Sequence, residues 1–134
     1  MESGVITFGM FLREKRKRSR ISLRQFSELA NLSPVHMSNL ETGQRPAPKD
    51  ETLERIAALL NLDKSEEELF YDLAAASADT PRVSGDLPNY IMGNDLVRVA
   101  LRTAKYVDAT DEEWTEFIEK LKKRSKAEVG GIWR

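Results

Sequence analysis

Cysteine is missing from this 134-residue chain, which excludes disulfide bridges and thiolate metal sites. Histidine occurs once, at His36, and one imidazole without cysteines or grouped carboxylates does not assemble a metal centre. No apolar run approaches the roughly 18–20 residues that span a bilayer, and Met1-Glu2-Ser3 opens no signal peptide. No membrane partner is expected, and the expected compartment is the cytoplasm. Sustained alternation with β-branched residues is also lacking, so strands are not expected. No glycine-rich phosphate loop exists, since Gly130-Gly131 opens no helix.

What the chain does have is charge and helical periodicity. Forty per cent apolar content supports a modest core, and 32% charged content keeps the surface wet. The formal net charge of −1 hides an asymmetry. Residues 1–49 carry nine Lys/Arg against four Asp/Glu, whereas residues 50–134 carry twelve against eighteen. Most of the excess lies in "REKRKRSRISLR", residues 13–24, with seven positive charges and one negative. A basic segment joined to an acidic remainder suits a polyanionic partner on one face. An ordinary solvated helix face fits the charge count equally well.

Helix signals follow one another along the first half. A first helix is expected over about Phe8–Arg18, with Phe8, Phe11 and Leu12 inward. "ISLRQF" then offers Ser22 as N-cap, Gln25 as its capping-box partner, and Ile21 stapled to Phe26. That second helix ends near Ala30, where Asn31 tolerates a left-handed turn. Ser33 caps a third helix, Pro34 takes its first position, and Gly43 ends it. A fourth runs over about Asp50–Leu60 with Leu53, Ile56, Ala57 and Leu60 on one stripe. Ser65 with Glu68 is expected to open a fifth, ending near Ala76.

"SADTPRVSGDLP", residues 77–88, has no period and reads as linker. Beyond it Asn94 caps a helix over about Asp95–Val107, and Thr110 with Glu113 opens another. The basic tail from Lys122 is expected to fray. The expected organisation is a first helical domain over 1–78, a linker over 79–94 and a helical pair over 95–134.

The third helix carries too few apolar residues to be a core element. On a wheel of 100° per residue, Met37 and Leu40 point inward, and Val35, Ser38, Asn39 and Thr42 lie opposite, with Ser33 and Pro34 leading. Short uncharged side chains of this kind suit the floor of a DNA major groove. Asn39 can pair bidentately with adenine, Val35 can meet a thymine methyl, and Ser33 and Ser38 can bond base edges or phosphate. Arg24, Gln44, Arg45, Lys17, Arg18 and Arg20 supply candidate phosphate contacts around it. His36 flanks this face.

At this point "ISLRQFSELANLSPVHMSNLETGQRPAPKDETLERIAALLNL" resembles the helix-turn-helix of the Xre family, the Cro/cI-type repressor fold. The resemblance covers about residues 7–76 and implies an all-α, five-helix domain. It implies base-contacting positions at Ser33, Pro34, Val35, His36 and Asn39, and phosphate contacts at Arg24, Gln44 and Arg45. It also implies a structural ion pair between Arg16 and Glu41, which removes both from the DNA set. Asn31 stands where glycine is commonest in the family, and Ser27 where alanine is usual.

Catalysis is not expected. The carboxylates at 66–68 and 111–113 are first-turn residues favoured there by the helix dipole, and the helical C-terminal part lacks a β-rich self-cleaving module. No cofactor and no metal are expected. Two helices alone make too small a core to stand by themselves. Leu96, Val97, Ala100 and Leu101, with Trp114, Phe117, Ile118 and Leu121, are therefore expected to face a second copy of the chain, the first domain, or another protein. The function expected is a sequence-specific double-stranded DNA-binding transcriptional regulator, a repressor binding a palindromic operator as a homodimer. The alternative is an antitoxin-type autoregulator whose C-terminal helices bind a toxin or other regulator.

Overall fold

A computed structural model describes residues 6–80 and 82–129, with side chains as far as residue 125. Among these residues the regular structure is entirely helical. The elements are α1 (Phe8–Arg18), α2 (Leu23–Leu29), α3 (Pro34–Thr42), α4 (Asp50–Leu60), α5 (Lys64–Ala76), α6 (Pro88–Met92), α7 (Asp95–Val107) and α8 (Asp111–Val129). None of the described helices is long and apolar enough to cross a membrane. Two compact units divide the chain, residues 1–88 and residues 89–134.

Local chemistry sets the helix ends in the first unit. Thr7 accepts from the Met10 N–H to cap α1, and Ser22 and Gln25 form a reciprocal capping box on α2. Ser33 accepts from the His36 N–H to cap α3. Gly43, at φ 85°, ends α3 in a left-handed conformation that glycine adopts without steric cost. The start of α5 differs from expectation. Asp63, not Ser65, is the N-cap, and Glu66 closes the box. Both pairs satisfy the same spacing rule; the earlier one prevails because Glu66 is also gripped by Lys15 and Arg18 of α1.

The core of the first unit is one apolar cluster. Phe8, Phe11 and Leu12 of α1, Phe26 of α2, Met37 and Leu40 of α3, and Leu53, Ile56 and Leu60 of α4 all enter it. Phe70 of α5 is its centre, with ring centroids 5.3 Å from Phe8, 6.1 Å from Phe11 and 5.4 Å from Tyr71. Each such large apolar side chain contributes about 1.5–3 kcal/mol on burial. Ile21 and Leu32, the residues ahead of the α2 and α3 caps, lie against the cluster.

The segment read as linker is more structured than its composition suggests. Ser84 donates to Asp72 of α5, Gly85 lies over the Tyr71 ring, and a short α6 occupies Pro88–Met92. Five residues are too few to display a helical period, which explains why this turn escapes a periodicity reading. The first compact unit accordingly extends to Pro88.

In the second unit Asn94 accepts from the N–H groups of Leu96 and Val97, capping α7. Thr110 and Glu113 form the capping box that opens α8. That helix continues through the basic stretch expected to fray and reaches Val129. Gly130-Gly131 lies outside the described residues. Among the described residues of this unit, no side chain is buried.

Candidate nucleic-acid interface

Two helices and a tight turn build the site. α2 ends at Leu29 with Ala30 as its C-cap, and Asn31 then adopts φ 63°, the left-handed geometry the sequence suggested for it. The turn is closed by the Leu32 N–H donating to the Ser27 carbonyl at 2.8 Å. Ser27 is fully buried, yet its hydroxyl donates to the Arg24 carbonyl at 2.7 Å. A serine at this position therefore carries no unsatisfied group into the core. Arg55 of α4 donates to the Ala30 carbonyl at 3.3 Å and satisfies the end of α2.

α3 is seated by its inner face. Met37 and Leu40 are buried, while Val35 is 70% exposed. Ser33, Pro34 and Thr42 are exposed as well, and His36, Ser38 and Asn39 are half-buried. The Ser33 oxygen accepts from the His36 N–H at 3.0 Å, which leaves its own O–H as a donor. At the far end the Arg45 N–H donates to the Asn39 carbonyl at 3.2 Å, so Gln44 and Arg45 fold back over the helix terminus.

Two contacts from α1 fix the height and tilt of α3. Arg16 donates from Nε to Glu41 Oε2 at 2.6 Å and from Nη2 to Oε1 at 3.1 Å, a bidentate pair with both side chains largely buried. Its Nη1 also donates to the Ile21 carbonyl at 2.9 Å, so one guanidinium joins α1, the α1–α2 turn and α3. Glu41 raises the Arg16 pKa above its ordinary value, chiefly through the hydrogen bond. The second contact is Gly9, where a Cβ would stand 2.4 Å from the Glu41 carbonyl oxygen and 2.5 Å from that of Leu40. The backbones of α1 and α3 meet directly there. Sequence reasoning missed Gly9, although a glycine inside an amphipathic helix is itself a sign of close approach.

The cations divide into two groups. Arg24, Arg45, Lys17 and Arg20 are exposed, as is the polar Gln44. Arg18 is engaged elsewhere: its Nη1 donates to Glu66 Oε2 at 2.7 Å and its Nη2 to Oε1 at 3.2 Å. Lys15 reaches the same carboxylate at 3.1 Å. The hydrogen bond from Arg18, that from the Asp63 backbone and that from Lys15 lower the Glu66 pKa to about 2. Arg18 thus serves the α1–α5 contact and is set aside from the expected phosphate contacts.

The second unit leaves large apolar side chains exposed. Leu96 is 78% exposed, and Leu101, Phe117, Ile118 and Leu121 are exposed too, as is Ala100. Val97 and Trp114 are half-buried, with Trp114 edge-on to Phe117 at 6.2 Å between ring centroids.

Residues 7–70 match a family described as a helix-turn-helix domain. A curated relative, the uncharacterized HTH-type transcriptional regulator RghRB of Bacillus subtilis, is 33% identical over 55 residues. That alignment spans 41% of this chain and 40% of the relative's length. A solved complex of the SinR and SinI proteins superimposes with a TM-score of 0.42 at 18% identity, covering 90% of this chain and 99% of the solved one.

Proposed function

From the premise that residues 7–70 are a helix-turn-helix domain, we propose that this chain is a sequence-specific DNA-binding transcriptional regulator of the Xre, Cro/cI-like type. α3 enters the major groove of a duplex. The supporting observation is its two-sidedness: Met37 and Leu40 are sunk in the core, and the opposite face presents Val35, Ser33 and the half-exposed Ser38 and Asn39. Asn39 hydrogen-bonds an adenine edge, Val35 meets a thymine methyl, and His36 and Pro34 lie along the groove wall. Arg24, Gln44, Arg45, Lys17 and Arg20 hold phosphates and set the register.

One module of this size makes few base contacts, so two are joined. The second unit supplies the means, because a helical pair without a buried side chain among its described residues gains stability by covering its apolar face. Homodimerisation through Leu96, Val97, Ala100, Leu101, Trp114, Phe117, Ile118 and Leu121 makes the protein a reader of palindromic operators, with half-sites about 34–36 Å apart. Bound across a promoter it acts as a repressor. The same exposed face favours a second reading, in which the helical pair holds a different protein, as in an antitoxin that represses its own operon.

Selection from a random duplex library tests the first reading. The expected product is an inverted repeat with centres separated by one helical turn or a multiple of it. Enrichment of no sequence overturns it, and an asymmetric single site overturns the dimeric part. Co-purification of a second small protein at one-to-one stoichiometry, with the apolar face protected, would favour the second reading.

A further inference from the structure

α8 carries its charges in two blocks. From Asp111 to Glu119 it bears five carboxylates and no base, and from Lys120 to Lys126 five bases and no acid. A helix dipole favours acids in the first turn and bases in the last, but its influence fades beyond those turns. Glu116, Glu119 and Lys120 lie deeper than that. Within one helix opposite charges stabilise at i and i+4; between the two blocks only Glu116–Lys120 and Glu119–Lys123, at their boundary, have that spacing. Among the described residues, none of Glu112, Glu116, Glu119, Lys120, Lys122 and Lys123 takes part in an ion pair. On α7 the ion pair present is Arg98 with Asp95, made within the same helix.

The exposed apolar residues straddle the boundary between the blocks, with Phe117 and Ile118 on the acidic side and Leu121 on the basic side. Charges flanking an apolar helix seam set partner choice and orientation. A helix that is acidic at one end and basic at the other is complementary to its own copy only when the copy is reversed. A foreign partner requires no such self-complementarity.

We propose that two copies of this chain pair through α8 running antiparallel, the acidic block of each lying opposite the basic block of the other; this rests on the homodimer reading above. A two-fold axis through the Glu119–Lys120 junction superimposes the two charge boundaries and sets Ile118 opposite Leu121 of the partner subunit. The interface is then isologous, with every contact made twice. Parallel pairing would set acid against acid and base against base.

The test uses the full chain with two charge-reversed forms, E112K/E116K/E119K and K120E/K122E/K123E, which leave the Thr110–Glu113 cap intact. Sedimentation equilibrium at low salt measures self-association, and far-UV circular dichroism verifies that helix content is kept. The wild type is expected to dimerise, and to dimerise less tightly as salt is raised. Each variant alone should self-associate at least about tenfold more weakly, and an equimolar mixture of the two should recover a dimer. Variants that self-associate like the wild type, or a mixture that does not pair, overturn the arrangement. So does tightening of the wild-type dimer by salt, a result that requires no variant. A wild type that is monomeric at every concentration removes the homodimer reading itself.

Discussion

Gly9 sits in the first turn of α1, where alanine would ordinarily be the better helix former by up to about 1 kcal/mol. Here a Cβ would meet the Glu41 and Leu40 carbonyl oxygens at 2.4 and 2.5 Å, both of them backbone atoms. Gly9→Ala is therefore expected to destabilise the first unit by about 1–3 kcal/mol, the usual range for overpacking. Urea denaturation measures it, and an unchanged or higher midpoint would show that α3 is not seated against α1 this closely. Arg24 belongs to the same scale. Its exposed side chain beside the α2 N-terminus suits the proposed phosphate contact, so Arg24→Ala should weaken binding to all duplexes alike and lower the salt slope by about one unit. An unchanged slope would remove it from the interface. Caps and turns such as Ser22–Gln25, Asn31, Ser33 and Gly43 were readable in the chain because their chemistry is local. Gly9 and the engagement of Arg18 were not, since both depend on residues far along the sequence.

At the scale of elements, α1 is tied to α3 through Arg16–Glu41 and to α5 through Glu66. The Glu66 contact makes a pH prediction. Its carboxylate is held at about 2 against an ordinary 4.5, so the folded state binds this proton less readily than the unfolded chain. The stabilisation is present in full above 4.5 and is lost as pH falls from there toward 2. The difference in urea midpoint between wild type and Glu66→Gln should accordingly shrink across that window. A difference that stays constant down to pH 2 would separate Glu66 from acid unfolding. The same carboxylate explains the α5 start. Ser65–Glu68 and Asp63–Glu66 are equivalent as local signals, and tertiary partners on α1 decide between them. The short α6 was hidden for the opposite reason: it has too few residues to show a period, and Pro and Gly around it suggest a loop.

For the whole molecule, charge and burial divide the work. The first unit is closed, with a single core and an exposed cationic rim beside α3. The second is open, its described residues all at least partly exposed. Trp114→Ala is expected to lower the oligomeric state, since it removes the largest ring from the α7–α8 surface while leaving the first unit's core untouched. A variant that sediments as the wild type does would remove Trp114 from the proposed dimer contact. The existence of both helices, and their apolar stripes, followed from periodicity. What covers those stripes did not, because an exposed apolar face is written the same way for a second copy as for a foreign protein.

The account rests on the outward face of α3 reading bases, and Asn39 is where that is tested most directly. Wild type and Asn39→Ala are titrated with the library-selected duplex and with a scrambled duplex of equal length, at one salt concentration. A loss of about 1–3 kcal/mol on the selected duplex alone, with selectivity relaxed at one base pair of each half-site, is the predicted result. Equal affinities for both duplexes in the wild type, or an Asn39→Ala loss identical on both, would contradict it.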